Sequence, residues 1–221
     1  MTWNIPNILT LLRLLAAPGV AVMFLYFARP YADWFALILF VVAALTDWID
    51  GYLARAWKQE SKFGAMLDPI ADKAMVVIAL CVITGFSGMN PWILLPATVI
   101  IFREVFVSGL REFLGDTAGT LKVTNLAKWK TTAQMVAIAV LFATGLFEHE
   151  FLDRTSGMDE ATLAAIMAGG SDPLGLMWYS EAANVTFLIG TILLTIAAFL
   201  TLVTGFDYLR KAMPYLREDA A

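Results

Sequence analysis

Four aspartates lie close together in a chain that has few charged residues. Asp47 and Asp50 are three positions apart, and Asp68 and Asp72 are four positions apart. On α-helices these spacings place each pair on one face, so two short helical faces present four carboxylates to one cleft. Four negative charges cannot persist together at low dielectric constant without cations. The pattern therefore predicts a site for hard divalent metal ions, and its oxygen ligands favour magnesium, manganese or calcium over zinc.

Glycine and alanine residues lie on the same two predicted helical faces. Gly51 and Ala54 share the first face, and Gly64 lies one turn before the acids of the second. Small side chains leave room for a flat or phosphorylated ligand to approach the backbone, but they also allow helices to pack tightly in a bilayer. Asp68 has a competing interpretation as an N-cap, because Pro69 follows it at a favoured first helical position. A carboxylate at a helix start is still able to ligate a metal ion.

The composition predicts a membrane protein. Of the 221 residues, 60% are hydrophobic and 15% are charged, and the mean hydropathy is +0.73. A soluble domain carries about 25% charged residues. The formal net charge of -4 provides no overall basic surface, so nucleic acid is excluded as a partner.

Six apolar runs approach the length of about 20 residues that a helix needs to cross the hydrocarbon core of a bilayer. The predicted spans cover residues 9–28, 34–53, 70–86, 92–110, 131–147 and 185–206. The sequence thus predicts an all-α integral membrane protein in which residues 1–221 form one domain of six transmembrane helices. The acids lie in or beside the second and third spans. A charge at the membrane centre costs about 2.5 to 3.5 kcal/mol and is rarely kept without a use.

The distribution of basic residues predicts the orientation. With a cytoplasmic N-terminus, ten lysines and arginines fall on the inner side, and only Arg29 and Arg154 fall on the outer side. This asymmetry predicts that both termini are cytoplasmic. The polar, metal-containing cleft is then expected at the cytoplasmic side of the inner membrane.

The longest predicted connection runs from Glu148 to Glu181 and is acidic. Ser156 precedes an apolar-periodic stretch that ends at Met167, so a short interfacial helix capped near Ser156 is predicted. An extracytoplasmic loop without chemistry is the simpler interpretation of the whole segment. His149, the only histidine, has no neighbouring metal ligands in the sequence, which argues against a histidine-based zinc site and a serine–histidine triad.

The acids and small residues together resemble the signature of the CDP-alcohol phosphatidyltransferase family, and all eight fixed positions of that signature are matched. They read Asp47-x-x-Asp50-Gly51-x-x-Ala54-Arg55, then eight residues to Gly64, three to Asp68 and three to Asp72. The stretch from Asn4 to Arg13 is similar to the start of the first helix in the family. Segments that begin at Arg103, Ser108 and Lys128 resemble its phosphatidylglycerophosphate synthase branch. The long acidic connection departs from the family pattern.

The resemblance implies transfer of the phosphatidyl group from CDP-diacylglycerol to sn-glycerol 3-phosphate, which gives phosphatidylglycerol phosphate and CMP. It implies two ions, Mg²⁺ or Mn²⁺, held by Asp47, Asp50 and Asp68, with Asp72 as a base that also contacts metal. We expect direct in-line attack on the lipid-linked phosphorus. The residues that correspond to the CDP-lipid site are Asn7, Gly51, Ala54, Arg55 and Gly64. A homodimer in the lipid membrane is implied as well.

A phosphorylated acceptor requires cations, because its phosphate cannot lie beside four acids unpaired. Arg103, Arg111, Lys128 and Lys130 are predicted to bind the phosphate of glycerol 3-phosphate, and arginine offers a bidentate contact. Arg103 lies within an apolar span, where an ion pair with a carboxylate is the alternative. Lys128 and Lys130 have the alternative role of orientation signals.

Two other functions stay open from the residues alone. A sibling phosphatidyltransferase would use serine, inositol or phosphatidylglycerol as its acceptor. A cation-coupled transporter would also place acids within the membrane. The transporter is less favoured, because the acids cluster at one depth and the sequence contains no visible inverted repeat.

Overall fold

The computed structural model describes residues 4–57, 61–120 and 125–216, and within them the side chains of residues 47, 48, 50–57, 116, 120, 125, 127 and 128 lie outside the description. The regular elements in these ranges are all helices. They are α1 (Ile5–Tyr26), α2 (Tyr31–Trp57), α3 (Lys62–Phe86), α4 (Pro91–Leu114), a 3-10 helix (Gly115–Thr120), α5 (Asn125–Thr155), α6 (Glu160–Met167) and α7 (Leu176–Leu216). The predicted all-α class is confirmed.

Four of the described helices are long and apolar enough to cross a membrane. They are α1, α4, the segment Trp129–Thr155 of α5, and α7. Tyr31–Thr46 of α2 is a shorter apolar stretch. Large apolar side chains on these helices point outward, as lipid-facing positions require, and Leu25 of α1 is 77% exposed. Six membrane crossings and the orientation of the termini stay predictions.

α3 begins earlier than the predicted third span. It starts at Lys62 rather than at residue 70, and Pro69 lies inside the helix. The N-cap interpretation of Asp68 is therefore wrong, since Asp68 lies in the second helical turn. Ser61 supplies the cap instead, because its hydroxyl accepts a hydrogen bond of 3.0 Å from the backbone N–H of Gly64. This early start places the whole acidic segment of α3 on one rigid helix.

The connection before the last helix is shorter than predicted. α5 continues to Thr155 and α7 begins at Leu176, so the connection covers residues 156–175 rather than Glu148 to Glu181. His149 is a helical residue, and its Nδ1 atom lies 3.0 Å from the carbonyl oxygen of Gly145. The apolar run of α5 is extended by polar helical turns, which composition alone does not mark as helix.

The predicted short helix in this connection is present as α6, but Asp159 caps it rather than Ser156. The Asp159 carboxylate accepts hydrogen bonds from the hydroxyl and the backbone N–H of Thr162. These bonds hold the pKa of Asp159 below its ordinary value. The cap is therefore charged at neutral pH and weakens only when acidification protonates it.

The chain divides into two compact units. The first comprises Met1–Ile83 and Ile138–Gly190, and the second comprises Thr84–Ala137 and Thr191–Ala221. The first unit holds the four aspartates of the signature. The second unit holds the basic residues predicted to bind phosphate. The prediction of one domain over residues 1–221 stays a prediction.

Candidate active site

Three polar residues of α1 form a buried stripe, here called the α1 stripe: Asn7, Thr10 and Arg13. They are 4%, 2% and 3% exposed, in a helix that is otherwise apolar. Their three-residue spacing keeps them near one face of the helix. Asn4 fixes the start of α1, because its side chain accepts a hydrogen bond of 3.0 Å from the backbone N–H of Asn7.

The α1 stripe contacts the acidic segment of α3. The Thr10 hydroxyl donates to Oδ1 of Asp68 at 2.8 Å, and Nη1 of Arg13 donates to Oδ1 of Asp72 at 2.5 Å. Asp68 and Asp72 therefore share one face of α3. The Arg13 side chain is 2% exposed and that of Asp72 is 51% exposed, so Asp72 combines a fixed orientation with access from outside.

The third contact of the α1 stripe involves the start of α3. Ser61 donates from its hydroxyl to Oδ1 of Asn7 at 2.8 Å, and the same Asn7 atom would lie 2.7 Å from a Cβ atom placed on Gly64. Only glycine allows this approach without displacing the Asn7 amide. The successive positions of α1 thus meet successive turns of α3 in the same order along both helices.

The remaining signature residues lie on α2, whose backbone is helical through Trp57. Their side chains lie outside the description: Asp47, Asp50, Gly51, Ala54 and Arg55. No group of three or more His, Cys, Asp or Glu side chains that could hold a metal ion occurs among the described residues. The side chains of the two α2 aspartates are not among these residues, so the predicted four-carboxylate cluster stays a prediction.

The donor chemistry of the described acids fits a divalent cation. Oδ1 of Asp68 accepts the Thr10 hydrogen bond, and an ionised carboxylate offers about four lone-pair positions. Hard divalent cations select such oxygen ligands. Asp68 and Asp72 lie one turn apart, which suits two carboxylates that serve one centre.

The second unit contains a buried cluster of charged side chains on α4 and α5, here called the charge cluster: Arg103, Glu104 and Lys130. Oε1 of Glu104 accepts from Nζ of Lys130 at 2.5 Å and from Nη1 of Arg103 at 3.3 Å. The three side chains are 15%, 12% and 8% exposed in the order named. Two cations share one carboxylate, so the cluster carries one excess positive charge.

The charge cluster tests two alternatives left open by the sequence: an ion pair at Arg103 and an orientation signal at Lys130. Arg103 does form an ion pair, as its alternative interpretation proposed, but the pair leaves positive charge in excess. Lys130 is buried, so its position is unlike that of an exposed orientation signal. Lys128 lies on the helical backbone of α5, and its side chain lies outside the description.

Arg111 lies on an exposed turn of α4 and contacts α7. Its guanidinium carbon lies 5.3 Å from the centre of the Tyr208 ring, within cation–π distance. One turn earlier on α7, Gly205 lets Arg103 approach closely, since a Cβ atom there would lie 3.0 Å from Cγ of Arg103. Two of the predicted phosphate ligands therefore contact adjacent turns of α7.

Several site residues were not predicted from the sequence: Thr10, Arg13, Ser61, Glu104 and Tyr208. Polar side chains at three-residue intervals in an apolar helix were a usable signal for the first two. Glu104 adjoins Arg103 in an apolar span, which was a usable signal as well. Tyr208 contacts a helix almost 100 residues earlier, and no local pattern marks it.

The eight-position signature belongs to a longer region of sequence that matches a known family. The sequence profile of the CDP-alcohol phosphatidyltransferases matches residues 3–213. The chain therefore belongs to the CDP-alcohol phosphatidyltransferase family, which confirms the resemblance found in the sequence.

Individual relatives are similar over most or all of their length. A Cereibacter sphaeroides protein named CDP-diacylglycerol--glycerol-3-phosphate 3-phosphatidyltransferase is 66% identical over 220 residues, which are 99% of this chain and 100% of that protein. Proteins of the same name from Pseudomonas fluorescens and Escherichia coli K12 are 36% and 43% identical. The first match covers 98% of this chain and 93% of the relative, and the second covers 64% and 78%.

Proposed function

We propose that this protein transfers the phosphatidyl group of CDP-diacylglycerol to sn-glycerol 3-phosphate, releasing CMP and phosphatidylglycerol phosphate. The observation that carries this proposal is the 66% identity, over 99% of this chain and 100% of the relative, to a protein named for that reaction. The positive charge of the second unit supports it, because an acceptor that bears phosphate needs cations and the alternatives serine and inositol carry no phosphate.

Divalent metal ions belong to the family's chemistry, and we propose two ions, Mg²⁺ or Mn²⁺, held by Asp47, Asp50, Asp68 and Asp72. When bound there, such ions would supply positive charge to neutralise the pyrophosphate of the CDP-lipid and to stabilise CMP as the leaving group. The described part of this set supports the proposal, since the Thr10 contact holds the Asp68 carboxylate in one orientation.

Asp72 is proposed as the proton acceptor. As the terminal hydroxyl oxygen of glycerol 3-phosphate forms its bond to the lipid-linked phosphorus, its proton passes to the Asp72 carboxylate and the bond from phosphorus to the CMP oxygen breaks. The Arg13 contact supports this role, because a base acts efficiently only when its oxygen is held in position. The half-exposed side chain gives the substrate access to that oxygen.

The CDP-lipid is proposed to bind at the small residues of the signature and at Asn7, with Gly51, Ala54 and Arg55 on α2 and Gly64 on α3. Gly64 supports this assignment, because the absence of a side chain lets the Asn7 amide lie against the α3 backbone. The phosphate of the acceptor is proposed to bind at Arg103, Arg111, Lys128 and Lys130.

The apolar helices and the distribution of basic residues support a proposal for how the chain lies in the membrane. We propose six transmembrane helices, both termini in the cytoplasm, and a site that faces the cytoplasm from the inner membrane, where soluble glycerol 3-phosphate arrives. The acyl chains of the CDP-lipid remain in the bilayer. A homodimer is proposed from the family resemblance.

The proposed function is tested by measuring CMP release from CDP-diacylglycerol with a panel of alcohols: glycerol 3-phosphate, serine, inositol and phosphatidylglycerol. We expect release that depends on glycerol 3-phosphate and on Mg²⁺ or Mn²⁺. Faster release with another alcohol would contradict the acceptor assignment and favour a sibling enzyme. Cation flux into vesicles without CMP release would favour the transporter.

Gly64 provides a prediction about CDP-lipid binding. Replacing it with alanine places a methyl group 2.7 Å from Oδ1 of Asn7, so the amide must move. We expect the KM for CDP-diacylglycerol to rise about tenfold, as for the loss of one well-placed polar contact.

Gly85→Ala is the matched control for Gly64→Ala, since Gly85 lies on the same helix and a Cβ atom there meets nothing within 4 Å. The control should leave both KM values unchanged. Equal KM values for CDP-diacylglycerol in the two variants would show that the close approach at Gly64 has no role in lipid binding.

A further inference from the structure

The hydroxyl of Tyr208 is a buried polar group for which the structure provides no partner within the described chain. Tyr208 is 7% exposed, and its oxygen makes no hydrogen bond to any described atom. Burying a hydroxyl without a partner destabilises a fold, and phenylalanine would fill the same space without that penalty. The hydroxyl is therefore expected to have a partner outside the described residues, and a bound ligand is such a partner.

The surroundings of Tyr208 identify the charge of that partner. Arg111 lies over the ring at 5.3 Å, and Arg103 lies against Gly205, one turn away on the same helix. Arg103, Arg111 and Lys130 provide three cations and Glu104 provides one carboxylate, so these four side chains carry a net charge of +2. An anion is the ligand that such a group of side chains favours.

A second unpartnered atom indicates the ligand's chemistry. Nε of Arg103 is buried and makes no hydrogen bond within the described chain. The Arg103 Nε–H group can only donate a hydrogen bond, and the Tyr208 hydroxyl can donate one as well. A phosphate group presents several oxygen acceptors and no obligatory donor, so it matches both groups and the positive charge.

We propose that Tyr208 is an acceptor-binding residue, whose hydroxyl donates a hydrogen bond to the phosphate of the incoming alcohol. Helix α7 thereby contributes to the preference for a phosphorylated acceptor, through a residue outside the family signature. This inference rests on the proposed function, since it takes the phosphate to be that of glycerol 3-phosphate. Tyr208 contacts the acceptor's phosphate and takes no part in the proton transfer at Asp72.

Tyr208→Phe tests the proposal, because it removes only the hydroxyl and keeps the ring beneath Arg111. We expect the KM for glycerol 3-phosphate to rise about tenfold or more, as for a lost hydrogen bond to a charged group, with the KM for CDP-diacylglycerol unchanged. The melting temperature should stay equal or rise, since an unpartnered buried hydroxyl has been removed. A purely structural tyrosine would give the opposite pattern, with a lower melting temperature and unchanged KM values.

Tyr179→Phe is the matched control. Tyr179 lies on the same helix and also carries an arginine over its ring, with the Arg154 guanidinium carbon at 4.5 Å from the ring centre. This variant should leave the KM for glycerol 3-phosphate unchanged. An equal rise in both variants would overturn the assignment to Tyr208.

Calorimetric binding of glycerol 3-phosphate to the full chain in detergent separates this inference from the proposed function. If the wild type binds and uses glycerol 3-phosphate and Tyr208→Phe does so equally well, the inference alone is overturned. If the wild type neither binds glycerol 3-phosphate nor releases CMP in its presence, both the proposed function and this inference are overturned. Weaker binding by Tyr208→Phe, with normal binding by Tyr179→Phe, supports the inference.

Discussion

Replacing Asp72 with asparagine is expected to lower turnover about a thousandfold while divalent metal ions still bind. The amide keeps the size of the side chain and an oxygen atom, but it cannot accept the proton of the attacking hydroxyl. General base catalysis typically contributes 10² to 10⁴ in rate, so an effect of about 10³ is the expected size. The measurement pairs CMP release with Mn²⁺ binding to the same preparation.

Asp207→Asn is the matched control for Asp72→Asn. Asp207 is also a half-exposed aspartate with a cationic partner, Lys211 at 2.6 Å, and its side chain is 42% exposed. Its loss should change turnover less than about twofold, because an exposed ion pair contributes little. Undiminished turnover in Asp72→Asn would eliminate Asp72 as the base, and the loss of Mn²⁺ binding would show that its role as a metal ligand accounts for the lost turnover.

Replacing Arg111 with alanine is expected to raise the KM for glycerol 3-phosphate about a hundredfold. A charge-assisted hydrogen bond contributes about 1.5 to 3 kcal/mol, and an arginine can make two such bonds to one phosphate. The KM for CDP-diacylglycerol should change less than about threefold, since the proposed CDP-lipid residues do not include Arg111. Initial rates measured with each substrate varied in turn provide both values.

Arg210→Ala controls for the loss of one positive charge, because Arg210 lies on α7, the helix that Arg111 contacts. Arg210 is an exposed residue of α7, so its replacement removes the same charge without touching the proposed phosphate ligands. It should leave both KM values near those of the wild type. An equal rise in the KM values for both substrates in Arg111→Ala would show that Arg111 has a general rather than an acceptor-specific role.

The class of fold and the family were predictable because their signals are local. Long apolar runs mark helices, and the eight signature positions lie within 26 residues of one another, from Asp47 to Asp72. Helix ends were less predictable. Pro69 suggested a helix start, yet α3 begins at Lys62 because Ser61 caps it there.

The partners of the site residues were not predictable from local pattern. The contact between Arg13 and Asp72 joins residues 59 positions apart, and Tyr208 meets Arg111 across two helices. The sequence identified Arg103 and Lys130 as cations, but their shared carboxylate, Glu104, follows only from the packing of α4 and α5. Side-chain type indicated the chemistry, while tertiary contacts determined which groups are oriented together.

Mn²⁺ binding, followed by electron paramagnetic resonance in wild-type protein and in Asp68→Asn, tests the central claim that the signature aspartates hold the metal centre. The account predicts two bound ions per wild-type chain and the loss of at least one ion in the variant. Absence of stoichiometric Mn²⁺ binding to the wild type, or equal binding by the variant, would contradict it.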